Sequence, residues 1–317
     1  MNYRQLASLI LAGLVCPLTA ETFTGEPGTV PSGWHFFKPG SKMYYRDGAK
    51  IKDKHSGIIE HAEEGKIVRV PLGWNFDRAD IDCKETGILE FVMNVKSEKG
   101  NAVLKAKFAG NAEPYEVGDD WTELRFYHLI KKPCHVRLYA NVAKGKAILV
   151  KDWSVKMLPL DENRESGFLG NPGKLPFLWF KTSWKNSDFS NSGITQDEGF
   201  LPYQQSFKIS GDGRLSVMRT YPDLILGKAG DEMEFSIWMK GNASKGVKLW
   251  LVDKKWKWVR HKTFVPDSNW KKYTLQSPVT PEVAGHNYTA IIDTDCADIL
   301  IGKYYIGTVK KEAVKTK

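Results

Sequence analysis

Apolar and polar residues alternate along this 317-residue chain in short runs, and helical spacing seldom recurs. The runs fall at residues 67–70, 89–95, 103–108, 136–142, 234–239, 247–252, 288–292 and 299–306, bounded by Gly, Pro, Asn or Asp. Period-two alternation sends successive side chains to opposite faces of a strand. The pattern therefore predicts antiparallel sheets with one buried and one wetted face, an all-β fold.

The runs also repeat. Gly65 opens one half and Gly213 the other. Glu90-Phe91 is followed by alternating residues to Lys96, as Glu234-Phe235 is to Lys240. Trp121 lies 56 residues beyond Gly65, and Trp270 lies 57 beyond Gly213. Apolar closing strands begin at Ala147 and Ala297. A duplicated unit of roughly 140 residues is the size of an ordinary domain, so two tandem β-sandwiches are expected. Their bounds read as 21–157 and 176–309. Residues 158–175, rich in Gly, Pro and acids, form a short linker, and 310–317 form a charged tail.

Residues 1–20 have the form of a secretory signal. Arg4 supplies the positive start, Leu6 to Val15 the apolar stretch, and Leu18-Thr-Ala20 a cleavage site. Lipid anchoring through Cys16 is the competing reading, weakened because Val15 stands where a small residue is expected. No segment is long and apolar enough to predict a membrane-spanning helix. Cys83, Cys134 and Cys296 remain after cleavage. The first two can pair in an oxidising compartment, or all three can be small buried apolar residues. A net charge of +9 without a nucleic-acid motif suits an extracellular protein meeting acidic polymers, and equally a soluble protein of other function.

The segment Asp231-Glu-Met-Glu-Phe-Ser-Ile-Trp-Met-Lys240 is similar to the "G-x-x-Y-x-F-S-x-W-x-K" strand of jelly-roll carbohydrate-binding modules, the galactose-binding-like sandwiches of families four and nine. Asn269-Trp270-Lys-Lys-Tyr-Thr resembles the strand that follows, and Ile148–Val155 the closing strand. The resemblance spans about nine tenths of the chain after the signal. It implies tandem jelly-roll domains that bind polysaccharide or glycan. In the family, acids of the closing strand often help to hold a structural calcium ion. Asp152 is the matching acid in the first half, whereas the second half has Gly302-Lys303. No other cofactor is implied.

Alternation puts Phe235, Ile237 and Met239 on one face of their strand and Trp238 and Lys240 on the other. Val247, Leu249 and Leu251 likewise oppose Lys248 and Trp250. If residues 241–246 close a hairpin, Lys240 pairs with Lys248 and Trp238 faces Trp250, a flat indole platform for a sugar ring. The same tryptophans serve equally as packing beneath a loop. Trp256 and Trp258, interleaved with lysines, form an accessory platform suited to an anionic glycan, or fold back onto the domain. Trp121 and Trp270 are expected to be structural. The matching strands of the first half offer Val92, Asn94 and Lys96 with Lys105 and Lys107, a polar and basic face that lacks a stacking platform. Arg137, Tyr139 and Asn141 from another strand, or an aromatic group of Trp34, Tyr44, Tyr45 and Trp74, are its alternatives, with packing the favoured reading of those aromatics.

Asp80-Ile-Asp82-Cys-Lys-Glu85 resembles the paired-acid strand of jelly-roll glycoside hydrolases. The first acid is Asp, and no aromatic cleft accompanies it, so a solvated acidic loop is the favoured reading. The leading expectation is a secreted, non-catalytic carbohydrate-binding protein with ligand residues Trp238, Trp250, Lys240, Lys248, Trp256 and Trp258. An extracellular structural or adhesion protein that binds other proteins is the second, and a jelly-roll hydrolase or lyase the third.

Overall fold

The computed structural model describes residues 21–24, 29–40, 44–45, 49, 58–62, 65–108, 112–159, 168–181, 188–200, 205–218, 228–253, 259–286 and 288–309. The signal segment with Cys16, the 254–258 segment with Trp256 and Trp258, and the tail lie outside the described residues.

The alternating runs are strands. The first domain contains β1 (Glu21–Thr22), β2 (Trp34–Phe37), β3 (Tyr44–Tyr45), β4 (Ile58–Ala62), β5 (Gly65–Pro71), β6 (Asn75–Cys83), β7 (Gly87–Ser97), β8 (Ala102–Lys107), β9 (Glu113–Val117), β10 (Thr122–Ile130), β11 (Cys134–Lys144) and β12 (Ala147–Leu158). The second contains β13 (Trp179–Lys181), β14 (Gly193–Phe200), β15 (Gln205–Met218), β16 (Glu232–Ala243), β17 (Val247–Asp253), β18 (Val259–Phe264), β19 (Lys271–Pro278) and β20 (Tyr288–Val309). Among the described residues the one helical element is a 3-10 turn, Pro281–Val283.

Each domain is a jelly-roll sandwich of two antiparallel layers. In the first domain, layer one runs β10-β7-β12-β5-β4, with β1 added to β12, and layer two runs β3-β2-β6-β11-β8-β9. The second domain builds the same layers from fewer, longer strands. In layer one, β15 residues 207–211 pair β20 residues 297–301, and β16 and β19 follow. In layer two, β15 residues 213–218 pair β20 residues 289–294, and β17 and β18 follow. Thus β15 and β20 pass through both layers, turning the corner by a register shift between Gly211 and Gly213. Gly211 has φ +123°, and a Cβ there would stand 2.1 Å from the Asp188 carbonyl oxygen, so a side chain would block the corner.

The inward residues of each layer make the cores. In the first, Trp34 meets Trp153 edge-on at 5.7 Å, and Phe91 stacks on Trp153 at 5.7 Å. The second is lined by Phe235, Ile237 and Met239 from layer one and by Val247, Leu249 and Leu251 from layer two, all fully buried. Cys83 and Cys134 stand directly opposite each other on β6 and β11 as free thiols.

The segment read as a linker is shorter than expected. β12 runs to Leu158, and Phe168 is already buried in the second core. The following residues dock the domains along the exposed edge of β10. Asn171 accepts from the Arg125 backbone N–H at 2.8 Å and donates to its carbonyl at 2.7 Å, replacing a missing strand. Phe177 packs on Tyr127 at 5.6 Å, and Lys174 Nζ donates to the Pro114 carbonyl at 2.8 Å.

Candidate functional site

The expected tryptophan pair is not formed. Trp238 lies on β16, whose partners are β19 and β20, while β17 carries Trp250 and pairs with β18 and β20 in the other layer. Residues 241–246 carry the chain between layers rather than turning back as a hairpin. The cause is the core itself. The two aliphatic rows face each other across the sandwich, so the residues between them point outward in opposite directions. Trp238 and Lys240 therefore share one outer face, and Trp250 and Lys248 share the other.

On layer two of the second domain, Trp250 is enclosed by polar side chains. Arg214 Cζ and Lys248 Nζ each lie 5.2 Å from its ring, and the His261 ring is at 4.5 Å. Arg214 Nε is held 2.9 Å from Asp293 Oδ2. The indole N–H of Trp250 is buried and makes no hydrogen bond.

The same layer of the first domain presents an open hollow of about 450 Å³. Phe37 from β2, Asn75 from β6, Tyr139 and Asn141 from β11 and Lys105 and Lys107 from β8 line it. The Asn141 amide donates to Asn75 Oδ1 at 2.6 Å, orienting both amides. Beside it, Arg137 Nη1 donates to the Tyr139 hydroxyl at 3.4 Å. Buried Asp77 lies 3.1 Å from His35 Nδ1, and burial raises its pKa against the opposing pull of Arg137 and His35. Sequence reasoning offered Arg137, Tyr139 and Asn141 as one candidate set, read Lys105 and Lys107 as a separate face without a platform, and missed Phe37 and Asn75. Both lie on neighbouring strands at outward positions, opposite each other in register.

The alternative aromatic group in this domain is core. Trp34 and Trp74 are buried, and Tyr45 packs partly buried against Trp74 at 6.1 Å. The Tyr44 side chain is outside what is described.

Layer one of the second domain has a different hollow, of about 370 Å³, beside half-buried Trp238. Glu234, Ser236, Lys272, Lys303 and Tyr305 complete it. Glu234 accepts from Gln276 at 2.7 Å and from Lys272 at 3.3 Å. Burial opposes its charge, but the hydrogen bonds from Gln276 and Ser236, with Lys272, win and hold its pKa below the ordinary value. Phe200, from β14, tilts against Trp238 at 5.6 Å and meets Trp270 edge-on at 5.0 Å. Lys240 is held by Glu198 at 2.6 Å and stands 5.3 Å from the Trp270 ring. Trp270 and Trp121 thus repeat on outer faces rather than in the cores.

Asp80, Asp82 and Glu85 are exposed and line none of the hollows found among the described residues. The strand also bulges there: Ala79 and Asp80 together oppose Arg137, and Asp80 has φ +54°. Asp80 and Asp82 are therefore not the simple alternating pair that the motif requires. Asp152 is hydrogen-bonded by the Asn94 amide, and no group of three or more His, Cys, Asp and Glu among the described residues is placed to hold a metal ion.

The class defined by this architecture is the tandem antiparallel β-sandwich. No protein-family model matches the chain, and no curated protein matches it. Among solved structures it is similar to the tandem CBM22-1–CBM22-2 domain of Paenibacillus barcinonensis Xyn10C, at 13% identity, covering 92% of this chain and 100% of that one, with a TM-score of 0.33. It is also similar to the CBM22-1 xylan-binding domain of the same protein (17% identity, 47% of this chain and 99% of that one, TM-score 0.32). A third likeness is to TmCBM61 in complex with β-1,4-galactotriose (15%, 45% and 99%, TM-score 0.30).

Proposed function

We propose that the chain is a secreted, non-catalytic carbohydrate-binding protein that holds saccharide on its outer sheet faces. It does so against Tyr139 and Phe37 in the first domain and against Trp250 in the second. The observation that carries this reading is the first domain's 450 Å³ hollow, where two rings, two pre-oriented amides and two ammonium groups converge on an open strand face. A sugar presents C–H groups on its ring faces and hydroxyls around its rim. It needs an apolar wall and fixed hydrogen-bonding groups at once. Asn75 and Asn141 supply both donor and acceptor capacity, and their mutual bond removes part of the ordering cost on binding. In the second domain the matching layer offers Trp250 between Arg214 and Lys248. The exposed, unclustered acids at Asp80, Asp82 and Glu85 favour binding over hydrolysis, and the signal-like first twenty residues favour secretion.

Native gel electrophoresis through a panel of soluble polysaccharides tests the reading. Wild-type protein is expected to be retarded by at least one of them. With uncharged polysaccharides Tyr139→Ala should clearly weaken the retardation, with its thermal midpoint unchanged, because the ring is half-exposed. Retardation by no polysaccharide, or undiminished retardation of Tyr139→Ala by the uncharged ones, would overturn it.

A further inference from the structure

The internal duplication provides its own control. The two copies of layer one match strand for strand and bulge for bulge. Lys151 is the extra residue where Val150 and Asp152 face Val95 and Asn94, and Gly302 is the extra residue where Ile301 and Lys303 face Met239 and Trp238. This alignment equates Asn94 with Trp238, Asp152 with Lys303, Glu123 with Lys272 and Ser154 with Tyr305.

In the first domain these outward positions close on themselves. The Asn94 amide donates to Asp152, and Glu123 lies on the neighbouring strand opposite Asn94. In the second domain all four positions have changed together, and the 370 Å³ hollow lies there. Trp238 has Lys272 as its register partner on one side and Lys303 on the other. With strands ~4.8 Å apart, two lysine stems straddle one indole about 10 Å from each other. At these two positions carboxylates of the first domain have become ammonium groups, and Arg125, which pairs with Glu123 and Glu90 in the first domain, is matched by Thr274 in the second. Neither packing nor the shared frame requires that reversal, since both domains keep the frame.

We propose that this hollow is a second saccharide site, on the opposite layer from the Tyr139 type of site, and that its ligand is an acidic saccharide. A pyranose lies against Trp238 and its carboxylate meets Lys272 and Lys303. Tyr305 and Glu234 face the ring hydroxyls, and the Gln276 and Lys272 bonds hold the Glu234 carboxylate in place. The proposal shares the ligand class of the functional reading above but not its location. If both hold, one chain presents binding faces on opposite layers and can bridge two polysaccharide strands.

Calorimetric titration of the full chain with a galacturonic acid hexamer and with the uncharged galactose hexamer tests it. Wild-type protein should bind the acidic hexamer at least tenfold more tightly. Trp238→Asn, which restores the first domain's residue, should weaken acidic binding at least tenfold. The double variant Lys272→Glu/Lys303→Asp changes side chains at the rim and guards against misfolding of the first variant. It should abolish the preference for the acidic hexamer while leaving neutral binding within twofold. Tyr139→Ala should leave acidic binding within twofold, so loss at that variant alone assigns the acid to the first domain and overturns the proposal. Undiminished acidic binding in Trp238→Asn, equal loss of both hexamers in the charge variant, or no acidic binding by wild type would overturn it too. Failure of the Tyr139 site with a Trp238-dependent acidic affinity would refute the earlier reading and leave this one standing.

Discussion

Phe91 in the first domain and Phe235 in the second hold the same place on the same strand, and both are fully buried. Three residues further along that strand the two domains part company: Asn94 is tied to Asp152, while Trp238 stands half-buried beside a hollow. The inward residues are fixed by what lies across the sandwich, because a change of even one methylene there is felt by every neighbour. The outward residues answer only to solvent and to adjacent strands. The same frame has therefore kept its cores alike and let its surfaces diverge, the first domain carrying the Tyr139 hollow on layer two and the second the Trp238 hollow on layer one.

The largest effect tests the shared part of the comparison. Phe91→Ala and Phe235→Ala should each cost about 4 kcal/mol, the usual range for emptying a buried aromatic site. The two cores are separate clusters, so two unfolding steps are expected in denaturant, each variant moving one. If both variants shift a single common transition equally, the Asn171 and Phe177 docking has merged the domains into one cooperative unit.

A smaller effect tests the divergent part. At the shared bulge the first domain has Lys151, whose Nζ lies 5.1 Å from the Trp121 ring, with Lys96 at 4.8 Å. The second has Gly302, where a Cβ would stand 2.2 Å from the Phe200 ring. Gly302→Lys should displace Phe200 and cost about 2 kcal/mol, as overpacking does. The reverse change, Lys151→Gly, removes one of two cations from an accessible ring and should cost under about 1 kcal/mol. Equal costs measured by thermal unfolding would mean that Phe200 is not a fixed part of the second domain's face.

These contrasts mark what the sequence could and could not convey. Alternation identified β5, β7, β8, β11, β16, β17 and β20, their buried faces and the duplication, because period two is a local property that burial enforces; β6, whose Asp80–Cys83 end reads as a solvated acidic loop, escaped it. It also identified Trp238 and Lys240 as sharing a face. It could not tell which layer β17 joins, since parity along a strand is the same whichever partner the strand finds. Trp238 and Trp250 were thus assigned to one platform although the sandwich separates them. Lys272, Lys303 and Tyr305 were invisible for the same reason: they reach Trp238 only through pairing with strands 34 to 67 positions away. Comparing the two halves at matched bulges would have exposed the patch, but the bulge itself is a feature of pairing.

The smallest effect is a pH dependence that one matched position carries in the first domain and lacks in the second. Glu98 follows β7 and is gripped by Arg69, Nε to Oε1 at 2.7 Å and Nη2 to Oε2 at 3.0 Å, with Lys146 at 3.3 Å. The Arg69 hydrogen bonds are the main reason that its pKa falls to about 2 from the ordinary 4.5. The matching place in the second domain is Asn242, which cannot titrate. Because the folded value lies below the unfolded one, the contribution is complete above about pH 4.5 and drains away as pH drops towards 2. Glu98→Gln should therefore be less stable than wild type at pH 6, by a modest amount because the pair is partly solvated, and the gap should close in acid. Denaturant titrations of both proteins at pH 6 and pH 2.5, following the step moved by Phe91→Ala, read this directly. A gap that persists at pH 2.5 would assign the Glu98 contribution to packing of its side chain, and would remove charge pairing as a reason for the first domain to differ from the second.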